Sequence, residues 1–262
     1  MRIVVLVKPV PDTASGGERL GPDRRLDRAA TPAVVNANDE YALEAALKLT
    51  EAHGGDVTIL SMAPPSAPET MRKALAMGAA GGVHVTDPGL AGSDTLSTTR
   101  VLAAALGNLE YDLVLAGADT SDGTAGVVPA GVAALLLLPY LSYAAKIEPD
   151  PAAGRVRVRR ISPTGYDVLE APMPALVVCT QALGEPRYPS LKGIMAARSK
   201  QIETRGLGDL EVEEGSVGGA VATTEVLGAE APPPRAATRV VREAPDVAAR
   251  EIVAFLAERW II

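Results

Sequence analysis

Cysteine, histidine and aromatic residues are scarce in this 262-residue chain, and each scarcity excludes a class of protein. The single cysteine, Cys179, rules out an internal disulfide framework and a metal site built from cysteines alone. It lies in the apolar run PALVVCTQAL, which indicates a buried small residue. The two histidines, His53 and His84, are far apart in sequence, so we expect no metal site.

Long apolar runs and excess positive charge are also missing. No stretch has the roughly 20 apolar residues of a membrane helix, and the N-terminal MRIVVLVKPV is too short and too strand-like for a signal peptide. We therefore expect a cytoplasmic protein. The formal net charge of −7 argues against nucleic acid as a partner, because binding to phosphate backbones needs a basic face.

What the chain has in abundance is small aliphatic residues, in segments that alternate between strand and helix patterns. The apolar fraction is 47%, and aromatics supply only 3%. Strands are predicted at 2–8, 56–62, 82–87 and 111–117, and helices after Asn38 or Asp39, at 69–79, from Asp94 and at 126–138. This alternation predicts an α/β fold, a Rossmann-like and mostly parallel sheet flanked by helices.

The pattern changes after residue 154. RVRVRRIS and YDVLEAPMPALVVCT alternate like two antiparallel strands joined at SPTG. From residue 204 the chain is rich in Gly, Glu, Ala and Pro, with APPPRAAT at 231–238, and it ends in the amphipathic VAAREIVAFLAERWII. We predict an α/β domain at 1–203, and at 204–262 an extended C-terminal arm and helix that pack on a partner.

A ligand site is expected where the parallel strands end. Ligands of open parallel sheets bind at the carboxyl ends of the strands, where LVKPVPD, LSMAP and GADTSDGTAG follow three predicted strands. Thr124 and the backbone N–H groups of Gly123, Ala125 and Gly126 suit a phosphate before a helix N-terminus. Asn36 and Asp39 are candidates for a sugar or a base. Ordinary βα loops have the same composition, and that interpretation stays open.

Several familiar sites are absent. The first strand is not followed by G-x-G-x-x-G, and no G-x-x-x-x-G-K-[ST] occurs, which disfavours a standard dinucleotide fold and a P-loop NTPase. Neither a Ser-His-Asp arrangement nor a pair of carboxylates indicates catalysis, so we expect no catalytic residues.

Five ordered segments resemble the β subunit of electron transfer flavoproteins. They are VKPVPDT, NANDEYALEAALKL, KALAMGA followed by HV, DLVLAG with SDGTAGVVP, and PALVVCTQALGEPRYPSLKGIMAARSKQIE. The resemblance covers residues 1 to 209 and, more loosely, the C-terminus. It implies a non-catalytic subunit of an αβ heterodimer that carries electrons from acyl-CoA and related flavin dehydrogenases toward a membrane quinone oxidoreductase.

The resemblance also implies that the α/β domain at 1–203 is a nucleotide-binding domain, of the type that binds adenine nucleotides, and it implies two ligand roles. The α subunit would hold most of the redox-active FAD, and this chain would bind AMP as a structural ligand. Carried over by position, the AMP pocket comprises Leu6, Lys8, Asn36, Ala37, Asn38, Asp39, Met62, Gly117, Ala118, Asp119, Thr120, Ser121, Asp122, Gly123 and Thr124. Asp122, Gly123 and Thr124 would face the phosphate.

The segment EPRYPSLKGIM would be the recognition loop, within residues 185–200, that docks on dehydrogenases. Its residues are Arg187, Tyr188, Pro189, Ser190, Leu191, Ile194 and Met195. Leu191 would be the anchor in an apolar pocket of the partner, and Arg187 and Tyr188 would hold the base of the loop. Without the resemblance, Leu191 would be interpreted as ordinary core that caps the following helix.

Two alternatives stay open. In a flavin-bifurcating complex the β pocket would hold a second FAD, and AGSDTLSTT at 91–99 is compatible with that. Gly126 stands where a larger polar residue is expected in that variant, which therefore ranks second. The other alternative is an ATP-binding regulator or enzyme on the same type of sheet. KPVPDT after the first strand argues against an ATP-pyrophosphatase-like enzyme, because such enzymes carry a Ser-Gly-Gly loop there.

Overall fold

The computed structural model describes residues 1–15, 18–230, 238 and 240–262. The strands of the described residues are β1 (Arg2–Leu6), β2 (Pro9–Pro11), β3 (Ala33–Val35), β4 (Asp56–Met62), β5 (Gly81–Val85), β6 (Leu113–Gly117), β7 (Tyr140–Asp150), β8 (Arg155–Ser162), β9 (Gly165–Pro172), β10 (Ala175–Cys179) and β11 (Ile202–Arg205). The helices are α1 (Ala37–His53), α2 (Ala67–Met77), α3 (Thr95–Gly107), α4 (Val128–Leu135), α5 (Leu191–Ala197) and α6 (Pro245–Glu258).

A nine-stranded sheet organises the first of two compact units, which spans Met1–Val226. Its order is β11-β5-β4-β1-β6-β10-β7-β8-β9. Each neighbouring pair from β11 to β7 is parallel, and β7, β8 and β9 form an antiparallel edge. The predicted α/β class, the mostly parallel sheet and the hairpin at SPTG are therefore confirmed.

Alternate residues of the parallel strands supply two apolar cores, one on each face of the sheet. Ile3 and Val5 pack in the cluster that contains residues of α1 and α2. Val4 and Leu6 pack in the cluster that contains residues of α3 and α4. Strands buried on both faces read as continuous apolar runs, which is why RIVVL was recognisable as a strand. Cys179 is buried at the end of β10, as predicted, and burial raises the pKa of its thiol.

The sequence prediction was wrong in two places between residues 135 and 180. The apolar run at 126–138 was assigned to one helix, but α4 ends at Leu135, and β7 was not predicted. The stretch 166–180 was assigned to one antiparallel strand, but it forms β9 and then β10, which lies parallel between β6 and β7. Pro172 and Pro174 interrupt it, since proline donates no ladder hydrogen bond. The following ALVVC is buried at every position, as in a central parallel strand.

The segment after α5 returns to the sheet. β11 pairs in parallel with β5 and crosses residue 204, where the arm was predicted to begin. Residues up to Val226 belong to the first unit. Asp94, which caps α3 through Ser97, also accepts hydrogen bonds from the backbone and hydroxyl of Thr223.

The second compact unit, Leu227–Ile262, contains α6. A C-terminal helix was predicted and is confirmed. Its Asp246 and Arg250 form an i,i+4 ion pair, and the Arg259 guanidinium lies 3.8 Å from the centre of the Phe255 ring. The proline-rich stretch at 231–237, predicted to be extended, lies outside the described residues.

Candidate functional site

The strand order creates a crevice beside β1. After β1 the chain builds β4 and β5 on one side, and it then places β6 on the other side of β1. The loops that follow β1 and β6 diverge at their carboxyl ends, which is where open α/β sheets bind ligands. The register pairs Val5 of β1 with Leu115 of β6, so Lys8 and the loop after Gly117 lie at the same edge.

The N-terminus of α1 closes this edge through polar contacts with the loop after β6. Asn36 is 1% exposed; its Nδ2 donates to Asp119 O at 2.8 Å, and its Oδ1 accepts from Ser121 N at 3.3 Å. Asn38 Nδ2 donates to the Asp119 carboxylate at 2.6 Å. The helix begins at Ala37 with Asn36 as its N-cap residue, so the predicted cap at Asn38 or Asp39 was wrong by two to three positions. The Asn36 side chain orders the loop after β6 and does not cap the helix.

Asp39 joins the ends of β1 and β6. Its carboxylate accepts a 2.8 Å hydrogen bond from Lys8 N and another from the backbone of Gly117. Burial raises the pKa of this carboxyl to about 7, against the effect of those hydrogen bonds. A Cβ at Gly117 would lie 2.5 Å from Asp39 Oδ1 and 2.7 Å from the Asn38 carbonyl carbon, so only glycine allows this approach.

Two cations and one carboxylate meet above the crevice. Asp122, whose side chain is 2% exposed, accepts from Lys8 Nζ and from Arg28 Nη2, each at 2.8 Å. Burial opposes ionisation of Asp122, but Lys8, Thr120 and Arg28 outweigh it and lower the pKa of the carboxyl to about 2. The three side chains carry a net charge of +1, which favours an anionic ligand.

The backbone of the same loop offers further donors. Thr124 N donates to Thr120 O at 2.8 Å, but the N–H groups of Asp122, Gly123, Ala125 and Gly126 have no acceptor within the described part of the chain. Thr124 and Gly126 have φ of 45° and 63°, whereas φ of the residue before each is not positive. This alternation is typical of backbone nests that bind anions, and α4 begins two residues later.

The other residues predicted for the site lie in the core beneath it or at the same edge of the sheet. Leu6 is buried in the core beneath it, and Ala118 and Met62 pack against that core. Ala37 is the first residue of α1. Met62 lies at the same edge, because Leu6 pairs with Leu60. Sequence reasoning missed Arg28, which lies 94 residues from its partner and has no local signal.

A second surface has a different character. Residues 185–200, called the docking segment below, carry four large and exposed hydrophobic side chains, called the docking patch: Tyr188, Leu191, Ile194 and Met195. Leu191 is 77% exposed, so the interpretation of this residue as ordinary core is wrong. Arg187 does hold the base of the segment, through Glu44 and Glu51 of α1. Tyr188, expected to do the same, does not, because it is 97% exposed.

Two further features of the described residues concern metal sites and membrane spans. Among the described residues, no group of three or more His, Cys, Asp or Glu side chains is arranged to hold a metal ion. In the same residues, no helix has both the length and the apolar character needed to cross a bilayer.

Comparison with known proteins gives consistent matches. A family model described as "Electron transfer flavoprotein domain" matches residues 24–210. The electron transfer flavoprotein subunit beta of Mycobacterium leprae is 40% identical over 266 residues, covering 99% of both chains. That of Clostridium acetobutylicum is 37% identical over 219 residues, covering 83% of each. The acryloyl-CoA reductase electron transfer subunit gamma of Anaerotignum propionicum is 39% identical over 206 residues, covering 77% of this chain and 76% of that one.

Proposed function

The chain belongs to the electron transfer flavoprotein β-subunit family, and from this premise we propose that it is the non-catalytic small subunit of an αβ electron carrier. The α partner holds most of the FAD. The carrier takes electrons from acyl-CoA and related flavin dehydrogenases, passes them to a membrane quinone oxidoreductase, and works in the cytoplasm. Family membership argues against the ATP-binding regulator.

The crevice beside β1 is proposed to bind AMP. The observation that carries this is the convergence of Lys8, Arg28 and four backbone N–H groups without acceptors in the described residues, at the topological switch point of the sheet. This donor set fits the phosphate of a nucleotide. The ligand supplies no redox chemistry there; it joins the loops after β1 and β6.

Each residue of the crevice has a part in this. Asp122 keeps Lys8 and Arg28 in place through its two ion pairs, and the phosphate shares those cations. The loop after β6 donates backbone hydrogen bonds to the phosphate oxygens. Asn36 and Asn38 fix that loop through Asp119 and Ser121.

Nucleotide content tests this proposal. The chain is co-expressed with an α-type subunit of the same organism, the purified complex is denatured, and released flavin and adenine nucleotides are quantified by chromatography. One FAD and one AMP per heterodimer is the expected result. A complex without an adenine nucleotide other than the α-bound FAD would overturn the AMP assignment.

A second FAD in the crevice is the second candidate, since the same phosphate donors also suit the pyrophosphate of a dinucleotide. Gly126 is the residue against it, because it offers no side chain to a larger ligand. Two FAD and no AMP in the same measurement would establish a flavin-bifurcating carrier. One relative is named as an electron transfer subunit of a CoA-ester reductase, which makes such a reductase a candidate acceptor.

The docking patch is proposed to bind the dehydrogenases. Pro186 and Pro189 restrict the backbone of the docking segment, which lowers the entropy lost on docking. Burying one leucine contributes roughly 1.5–3 kcal/mol, a scale that suits a partner that must also leave. Leu191→Ala is expected to slow electron transfer from the dehydrogenase to the flavin with bound nucleotide unchanged. Unaltered kinetics with several acyl-CoA dehydrogenases would contradict the anchor role.

A further inference from the structure

The docking segment is fastened at its N-terminal end by one arginine. Arg187 donates from its backbone N and its Nε to Glu44 Oε2, at 3.1 and 2.7 Å, and from Nη2 to Glu44 Oε1 at 3.2 Å. Nη1 and Nη2 also donate to the two carboxylate oxygens of Glu51. Glu44 and Glu51 lie on α1, 143 and 136 residues from Arg187 in sequence.

Glu44 is the buried half of this contact. Its side chain is 5% exposed, whereas that of Glu51 is 58% exposed. Lys48 adds a second cation at 3.4 Å, so Glu44, Glu51, Arg187 and Lys48 are electrically balanced. Burial opposes ionisation of Glu44, but Arg187 and Lys48 outweigh it, and the pKa of the carboxyl is lowered. A buried carboxylate with such partners holds one geometry better than an exposed pair does.

The C-terminal end of the docking segment is fastened to α2 instead. Arg72 Nη1 donates to Ala197 O at 2.7 Å, and Lys200 Nζ donates to the carbonyls of Leu75 and Ala79 at 3.0 and 2.6 Å. The docking patch therefore lies between two attachments. One is made to the glutamates of α1, and the other is made to α2 and the residue Ala79 after it, through the cations Arg72 and Lys200. Of the two attachments, only the one to α1 joins a side chain to a side chain, because Arg72 and Lys200 donate to backbone carbonyls.

We propose that Glu44, assisted by Glu51, is a positioning residue for partner docking: it holds Arg187 so that the docking patch is already ordered when the dehydrogenase arrives. This rests on the docking role proposed above. Neither glutamate belongs to the docking patch, so both act through Arg187. The docking patch is then ordered when the chain folds, so binding of the dehydrogenase does not have to offset the entropy lost in ordering it.

Steady-state electron transfer to the heterodimer tests this, with an acyl-CoA dehydrogenase of the same organism that reduces the wild-type complex saturably. Glu44→Gln preserves shape but removes the charge-assisted bonds. We expect KM for the heterodimer to rise about tenfold with kcat unchanged. Glu51→Gln should raise KM less. Glu110→Gln, which removes a surface ion pair with Arg2, is the matched control and should leave KM unchanged.

Further variants separate positioning from a general loss of structure. Arg187→Lys keeps the charge but loses the fork geometry, and should raise KM as Glu44→Gln does. Bound flavin and nucleotide should stay at wild-type levels in both. Because Glu44 acts through the docking patch, adding Glu44→Gln to Leu191→Ala should raise KM by much less than tenfold.

The outcomes distinguish the two proposals. If Leu191→Ala raises KM but Glu44→Gln and Arg187→Lys do not, the positioning role is overturned and docking through the patch stands. If Leu191→Ala leaves KM unchanged, the docking proposal fails, and the positioning role fails with it. Fully multiplicative effects of Glu44→Gln and Leu191→Ala would show that Glu44 does not act through the patch, and would also overturn the positioning role.

Discussion

Gly117→Ala tests the architecture of the crevice most directly. The added Cβ would lie 2.5 Å from Asp39 Oδ1, 2.7 Å from the Asn38 carbonyl carbon and 2.8 Å from Asn38 Cβ. These atoms belong to the first turn of α1 and to a buried carboxylate that already holds two strand ends. They cannot rotate away as the tip of a flexible side chain could, so α1 must shift as a body.

The structure sets the size of the effect. Overpacking of this kind costs about 1–3 kcal/mol, so we take roughly 2 kcal/mol. For a domain of 150–250 residues each kcal/mol lowers Tm by about 2–4 °C, which gives a loss of about 4–8 °C. The shift would also move Asn38 away from Asp119, so bound AMP should fall together with Tm.

Thermal unfolding of the heterodimer, at fixed protein concentration, is the assay, with AMP content measured on the same samples. Gly107→Ala is the matched control, because a Cβ at the end of α3 meets nothing within 4 Å. Gly123→Ala is a second comparison; its Cβ would make ordinary contacts at 3.4 Å to Thr120 Oγ1 and 3.6 Å to Lys8 Nζ. It should preserve Tm but weaken AMP retention. A Gly117→Ala complex with the wild-type Tm and AMP content would refute the reasoning.

Three further predictions concern the charged groups of the crevice. The pKa of Asp122 is lowered to about 2, so its ion pairs stabilise the fold above about pH 4 and are lost as pH falls toward 2. In Asp122→Asn, the decrease in the free energy of unfolding between pH 4 and pH 2 should be smaller than in the wild type by roughly 2 kcal/mol. An acid unfolding profile unchanged from the wild type would contradict this. The pKa of Asp39 is raised to about 7, so the protonated carboxyl stabilises the folded state relative to the unfolded chain below about pH 4, and this stabilisation is lost as pH rises through 7. Asp39→Asn should remove this pH dependence of the free energy of unfolding between pH 4 and 7. It should also cost about 1–3 kcal/mol of stability, since the amide turns a donor toward a backbone N–H. If urea unfolding of the variant shows the same change of stability with pH as the wild type over pH 4 to 7, the prediction is wrong. Arg28→Gln should lower AMP affinity about tenfold, measured by calorimetry on stripped heterodimer, whereas Arg19→Gln, in the same loop, should not; equal affinities for both variants would remove Arg28 from the site.

Local patterns in the sequence were sufficient for the parallel strands and the helices of the first 117 residues, but the short antiparallel pair of β2 and β3 was predicted as a loop and was missed. RIVVL and DVTILSM are apolar on alternate faces or on both, and they form β1 and β4. Asp94 was predicted to start a helix and does cap α3. These predictions were correct because the periodicity of buried positions, helix capping and turn formation each depend on only a few neighbouring residues. The predictions failed on either side of the β8–β9 hairpin, at 136–150 and 173–180, where a continuous apolar run suits a helix or a buried strand equally, and only the neighbouring strands decide between the two.

The sequence by itself determined the fold class. It also predicted the edge of the sheet at which we propose a ligand and, through the family resemblance, the segment that we propose to dock. The tertiary structure alone decided which side chains meet there. Arg28 reaches Asp122 across 94 residues, and Glu44 reaches Arg187 across 143. Such pairs leave no periodic trace in the sequence, because the order of strands in the sheet, and not the spacing along the chain, brings their charges within hydrogen-bonding distance.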